Sequence, residues 1–202
     1  MLWLILSVLL WGLIHSFLAS LPAKGLVRRW LDNRAMRFYR LAYNLFACIS
    51  FLPVLVVAAL TPDKSLYFVQ LPWSVLMVLG ELVAVVVLII GFVQTDVLEF
   101  LGFRQVNDAV EDRREQLVTS GLYRFVRHPL YSAGLLFIWL LPLMTANVLA
   151  INIGLTIYVI TGAFFKERKM RFMYGQEYAS YAAHTPMFVP FLKGNKTPRQ
   201  TS

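Results

Sequence analysis

Residues 121 to 134 read GLYRFVRHPLYSAG, and residues 166 to 190 read KERKMRFMYGQEYASYAAHTPMFVP. In the first stretch Arg127 and His128 stand directly before Pro129. A proline suits the first turn of a helix, where its missing N–H is not needed, so a helix is expected to begin there with His128 at the cap position. The unsatisfied N–H groups and the positive end of the helix dipole would then lie beside two cationic side chains, a ready site for a carboxylate or a phosphate. Tyr123 precedes this point, and Tyr131 and Gly134 follow it on the inward side of the same helix. The second stretch supplies an acid, Glu167, with Arg168 beside it, and then Tyr174, Tyr178 and Tyr181 at spacings of one helix face. Such a stripe either packs against neighbouring helices or holds a flat, cationic ligand by stacking and cation–π contact.

The elements that must position these residues belong to a membrane. The chain is 58% hydrophobic, 14% aromatic and only 15% charged, outside the range of soluble domains. A helical span takes roughly 20 apolar residues, and five stretches qualify or nearly do: 2–21, 41–60, 72–94, 130–146 and 148–165. The last two are short and are read as a tight helical hairpin turning at Thr145 to Asn147. Backbone in lipid must bond to itself, so the spans are helices and the fold is an all-α polytopic bundle. Of the 19 Lys and Arg residues, only Lys64 falls outside the segments that follow the first, third and fifth spans. By the positive-inside rule the N-terminus is outside and the C-terminus cytoplasmic, most simply in a bacterial inner membrane. The net charge of +8 then reflects topology and attraction to anionic lipid rather than a nucleic-acid surface. The first span lacks a basic leader and is read as retained. Cys48, the sole cysteine, falls within the second span and is expected to be a buried, inert thiol.

Polar residues inside the spans are the next signal, because the bilayer excludes them unless they are used. His15 and Ser16 near the end of the first span, Asn44 near the start of the second, and Gln94, Thr95 and Asp96 at the end of the third share one depth. Their convergence predicts a cavity at the cytoplasmic boundary, with His15, Asn44 and Gln94 facing a substrate. Glu81, deeper in the third span, is expected to face the bundle interior.

The ordered pair of motifs resembles the isoprenylcysteine carboxyl methyltransferase superfamily of integral membrane enzymes, which also holds phospholipid methyltransferases; the likeness covers residues 96–190. HSFLAS and RFYRLAYN in the N-terminal part are similar to the NnrU-like branch and to membrane thiol methyltransferases. The chain is thus expected to divide into three N-terminal transmembrane helices (1–95), read from apolar length, a methyltransferase core that the resemblance implies (96–190, comprising a cytoplasmic loop, the hairpin 130–165 and a C-terminal cytoplasmic helix) and a polar tail expected to be disordered (191–202). The resemblance also implies S-adenosylmethionine bound by Arg127, His128, Pro129 and Tyr131 with Glu167, Tyr178 and Tyr181, and a catalytic role for Glu167, Arg168 and His128. Relatives commonly open the second motif with two acids, whereas this chain has Lys166 and Glu167.

Methyl transfer needs alignment and exclusion of water more than covalent machinery. The acceptor implied is a lipophilic or small molecule, a thiol or a carboxylate, met alongside membrane lipids. A carboxylate needs no base, whereas a thiol or an amine must lose a proton, for which Glu167 and His128 are the available groups. A phospholipid amine is the alternative acceptor. A haem-binding or structural subunit, using two of His15, His128 and His184 as ligands, is the alternative of another class. Cysteines introduced at Lys64 and Lys196 are expected to be labelled from opposite sides of the membrane; labelling from one side would contradict the orientation.

Overall fold

The computed structural model describes residues 2–30, 33–94 and 117–192. Thr95, Asp96, the charged loop as far as residue 116 and the tail from Lys193 lie outside the described residues. Among the described residues six α-helices carry the fold: α1 (Leu2–Ala19), α2 (Leu21–Trp30), α3 (Asn33–Leu60), α4 (Trp73–Gln94), α5 (Pro129–Trp139) and α6 (Ala146–His184). Two short strands, β1 (Ser65–Phe68) and β2 (Leu143–Thr145), pair antiparallel, and a 3-10 turn spans Gly121–Arg124. The helices α1, α4 and α6 and the part of α3 from Leu41 to Leu60 are long and apolar enough to cross a bilayer. Large apolar side chains such as Trp3, Leu13, Leu52, Leu79 and Val93 lie exposed along them. The chain is an all-α polytopic integral membrane bundle.

The expected tight hairpin after the third span takes a different form. Helix α5 has 11 residues, about 16 Å of rise against a hydrocarbon core of about 30 Å. It runs antiparallel to α4, with Leu130 packed on Gly91 at one end and Leu140 on Gly80 towards the other. Pro142 stops it, because proline supplies no N–H and disfavours helical backbone at the residue before it. The chain covers the remaining depth in extended form, and β2 finds its backbone partners on β1, with Ser65 opposite Thr145 and Phe68 opposite Leu143. The break therefore occupies residues 140–145 rather than 145–147.

Buried amides fasten that end of the bundle. Asn147 donates to the carbonyls of Ala58 and Thr61 at 3.1 and 2.9 Å, closing the C-terminal end of α3 against the start of α6. Asn152 donates to the carbonyl of Ile138 in the last turn of α5. Asp63 accepts from the backbone of Lys64 and Asn147, and the Thr145 hydroxyl beside it holds its carboxyl below the usual range. Each of these bonds satisfies a group at a helix end that lipid would leave bare.

Helices α1 and α6 approach through glycine. A Cβ on Gly12 would lie 2.6 Å from the Tyr158 ring, and one on Gly154 would lie 2.8 Å from Val8, the small-residue contact by which membrane helices pack closely. Helix α2 was not foreseen. It is amphipathic, with Ala23 buried, Leu26 and Trp30 exposed, and Arg28 and Arg29 in its last turn, the pattern of a helix lying in the interface. Cys48 corrects an expectation: it sits on the exposed face of α3.

The feature of the fold that matters most to function is a fold-back in α6. Gly175 has φ 52° and ψ −122°, a conformation open in practice only to glycine. There the helical path breaks and the segment from Gln176 to His184 turns back against the first arm. Gly175→Ala is therefore expected to lower stability by about 1–3 kcal/mol, read as a fall in the melting temperature in detergent. Gly162→Ala, where a Cβ meets open space, is expected to leave the melting temperature unchanged or raise it. Equal melting temperatures for Gly175→Ala and the parent would show that the break is not required.

Candidate functional site

Glu167 lies just past the apolar part of α6 and is buried. Its Oε1 accepts three hydrogen bonds: from Arg127 Nε at 2.8 Å, from His128 Nε2 at 2.8 Å and from the Tyr178 hydroxyl at 2.7 Å. The bond from Tyr178 depends on Gly175, since residues 11 apart in a straight helix stand about 16 Å apart along its axis. Three donors on one oxygen, one of them a guanidinium, favour the ionised carboxylate and compensate its burial.

Arg127 grips both arms of the folded helix. While Nε meets Glu167, Nη1 donates to the carbonyls of Ala182 and Thr185, both at 2.8 Å. Those carbonyls end α6, where helical partners run out and the dipole favours a cation. The backbone adds two bonds, from Arg127 N to Pro186 O at 2.9 Å and from His128 N to Met187 O at 3.1 Å. Ser132 closes the seam by donating to the Phe188 carbonyl at 2.7 Å. Pro129 occupies the first turn of α5 with His128 at the cap, as the sequence suggested. The expected anion pocket is different in substance: the Arg127 charge and the His128 N–H are engaged by protein groups.

Aromatic rings line the cluster. Tyr131 stacks on His128 at 5.4 Å with an interplanar angle of 7°, and the Lys166 ammonium lies 5.6 Å from the centre of the Tyr131 ring. Tyr181 donates to the Tyr123 carbonyl at 2.6 Å and meets Tyr178 edge to face. Burial pushes the Tyr123 phenol up, so it stays neutral. Tyr174 precedes the break at Gly175 and does not continue the face of Tyr178 and Tyr181, so the three-residue stripe is divided. Gly134 stands one turn beyond Tyr131, and a Cβ there would meet open space.

Two buried polar atoms in this cluster have no hydrogen-bond partner: Glu167 Oε2 and His128 Nδ1. The exposed Arg171 comes no nearer to Oε2 than 3.9 Å. Because His128 gives its Nε2 proton to a carboxylate, neutral imidazole presents a lone pair at Nδ1. A buried polar group left without a partner costs about 1–3 kcal/mol, and an acceptor pair of this kind is a receptor for a ligand with donor groups.

The remaining site expectations fall elsewhere. Arg168 is exposed on α6, turned away from the cluster. Gln94 accepts from the Leu122 backbone N–H at 3.1 Å. It also covers Gly121, whose positive φ and whose missing Cβ, which would lie 2.3 Å from Gln94 Nε2, require glycine. Gln94 is thus a brace for the 3-10 turn. Asn44 is half-buried on α3, and its neighbour Tyr43 is the residue that reaches His15. Glu81 is half-buried on α4. The three imidazoles offered as metal ligands sit on separate elements with separate partners: His15 with Tyr43, His128 with Glu167, and His184 with the Ser180 carbonyl.

Sequence reasoning missed Gly175, Ser132, Trp11, Tyr43 and Tyr158. The one available signal was MYGQE, a glycine inside a helical pattern.

The family model described as phospholipid methyltransferase matches residues 75–177, from the first turn of α4 to just past the fold-back. A methanethiol S-methyltransferase of Pseudomonas sp. (strain GM41(2012)) is 31% identical over 188 residues, covering 91% of this chain and 70% of that protein. One from Crocosphaera subtropica is 28% identical over 130 residues, 59% of this chain and 51% of the relative, so the chain spans about half that protein's length. Protein-S-isoprenylcysteine O-methyltransferase B of Arabidopsis thaliana is 31% identical over 98 residues, 44% of this chain and 48% of that one. No solved structure matches. The matched residues carry the first motif, the second as far as Glu177, and every member of the Glu167 cluster but Tyr178, which lies one residue beyond the family match, and on these grounds the chain belongs to the phospholipid methyltransferase family, within the superfamily that includes the isoprenylcysteine methyltransferases.

Proposed function

We propose that this protein is an integral membrane methyltransferase that uses S-adenosylmethionine and methylates a small thiol, with its donor site at the cytoplasmic end of the bundle. The observation that carries the reading is the buried Arg127–His128–Glu167–Tyr178 cluster, in which Glu167 Oε2 and His128 Nδ1 are acceptors lacking donors. S-adenosylmethionine fits such a set: its ammonium supplies the donor that Oε2 lacks, and its adenine and sulfonium suit the aromatic lining. When bound, it supplies an electrophilic methyl group.

The chain's own residues divide the remaining work. Glu167 holds the amino-acid end of the donor and is held by Arg127, which fixes both arms of α6. His128, pinned by Glu167 and stacked on Tyr131, orients the start of α5. Pro129, Tyr131 and Gly134 present the α5 side of the site, and Tyr123, Tyr178 and Tyr181 close the other side and exclude water. With Oε1 saturated by three donors, Glu167 serves as a binding group rather than a general base. Arg168 is exposed on α6 and is given no role in this reading. The small-thiol acceptor is supported by the relatives that align across most of the chain, whose names record methanethiol as their substrate.

The test is calorimetry of the detergent-solubilised protein with S-adenosylmethionine and with S-adenosylhomocysteine. One site is expected, weakened at least tenfold by Glu167→Gln and by His128→Ala, and unchanged by Arg168→Ala. Tenfold corresponds to about 1.4 kcal/mol, within the worth of one hydrogen bond to a charged group. Absence of donor binding by folded protein would end the reading.

A further inference from the structure

His15 is a half-buried imidazole on α1 among the membrane helices, and the donor cluster does not use it. Its ring stacks on Trp11 at 5.2 Å and 20°, lies 4.6 Å from Tyr43 of α3, and meets Tyr158 of α6 edge-on at 5.9 Å. Its Nε2 is hydrogen-bonded to the Tyr43 hydroxyl, while Nδ1 is buried with no partner. An ionisable residue kept at this depth needs a use, because lipid penalises it. An orphaned imidazole nitrogen adds about 1–3 kcal/mol to that cost.

Tyr158 stands on α6 nine residues before Glu167, about 14 Å along the helix, and both Tyr43 and Tyr158 interact electrostatically with Tyr131, the ring stacked on His128. The titratable groups facing His15 are Tyr43 and Tyr158, and no carboxylate is in contact with it among the described residues.

We infer that His15 is the general base of the reaction and that the acceptor is therefore a nucleophile that must lose a proton, a small thiol rather than a carboxylate. This rests on the methyltransferase reading above. In the tautomer that gives Nε2–H to the Tyr43 oxygen, Nδ1 carries a lone pair toward which a thiol S–H donates. The S–H bond breaks and its proton goes to Nδ1. The thiolate pair forms the new S–CH3 bond as the sulfonium–methyl bond of the donor breaks, and that bond's electrons return to the donor sulfur as a neutral thioether. The resulting imidazolium is stabilised by the Tyr43 oxygen and the stacked face of Trp11. Tyr43 is a positioning residue, and the Tyr158 ring fills the space beside Gly12.

The experiment uses the whole protein in detergent with methanethiol. In the dead-end complex with S-adenosylhomocysteine, where no turnover occurs, the parent is expected to show the ultraviolet band of bound thiolate and His15→Gln to lack it. With S-adenosylmethionine, His15→Gln is expected to lose about 10²–10⁴-fold in kcat, to lose the acidic limb of the kcat/KM pH profile and to keep its donor affinity by calorimetry. Tyr43→Phe, which keeps the ring, is expected to lower kcat without removing that limb. A His15→Gln protein that binds donor, forms thiolate and turns over like the parent would overturn the inference while leaving the donor site standing. A Tyr43→Phe protein with unchanged turnover and thiolate band would equally remove the pair from the chemistry. Failure of the parent to bind donor would instead strike the underlying reading.

Discussion

A single carboxylate oxygen organises the functional half of this protein. Taking Glu167 out of water costs several kcal/mol unless charge and hydrogen bonds are returned to it, and Oε1 receives them from the segment before α5, from the start of α5 and from the far arm of α6. Helices α5 and α6 otherwise meet mainly through Asn152 and Trp139 at the opposite end. Because Arg127 also caps the carbonyls of Ala182 and Thr185, the guanidinium couples the buried charge to the end of the helix that folds back over it.

The rest of the fold can be read as the means of presenting that oxygen and its bare neighbour. Gly175 supplies the turn, Gly121 and Gln94 brace the chain entering the site, and β1 with β2 complete a crossing that α5 alone is too short to make. Pairing those strands and capping α3 with Asn147 satisfies backbone groups at the far end of the bundle, which leaves α5 free to be short. The N-terminal helices contribute differently. The close approach of α1 to α6 through Gly12 and Gly154 carries His15 and Trp11 to Tyr158.

Much of this was legible in the chain. Apolar length gave the spans of α1, α3 and α4, and Pro129 announced the start of α5, because both signals are local. Arg127, His128, Glu167 and Tyr178 were found as types that could form a ligand site, yet their partners could not be read. A helical spacing of 11 residues places Tyr178 far from Glu167, and only the conformation at Gly175 brings them together. The same distance effect hid the protein partners of Arg127, since the carbonyls it meets lie more than fifty positions away. Gln94 and His15 share a depth but not a helix pair, which depth alone does not reveal. Cys48 illustrates the converse: in a membrane, an exposed face on α3 is apolar too, so composition does not distinguish lipid from core.

The most direct measurement is an experimental structure of the protein with S-adenosylhomocysteine bound. The account predicts that the ligand's ammonium lies within hydrogen-bond distance of Glu167 Oε2, with Oε1 still holding Arg127, His128 and Tyr178 and the thioether sulfur turned toward the His15 side of Tyr131. A ligand seated elsewhere, with Oε2 left bare and the Glu167 cluster unchanged around it, would contradict it.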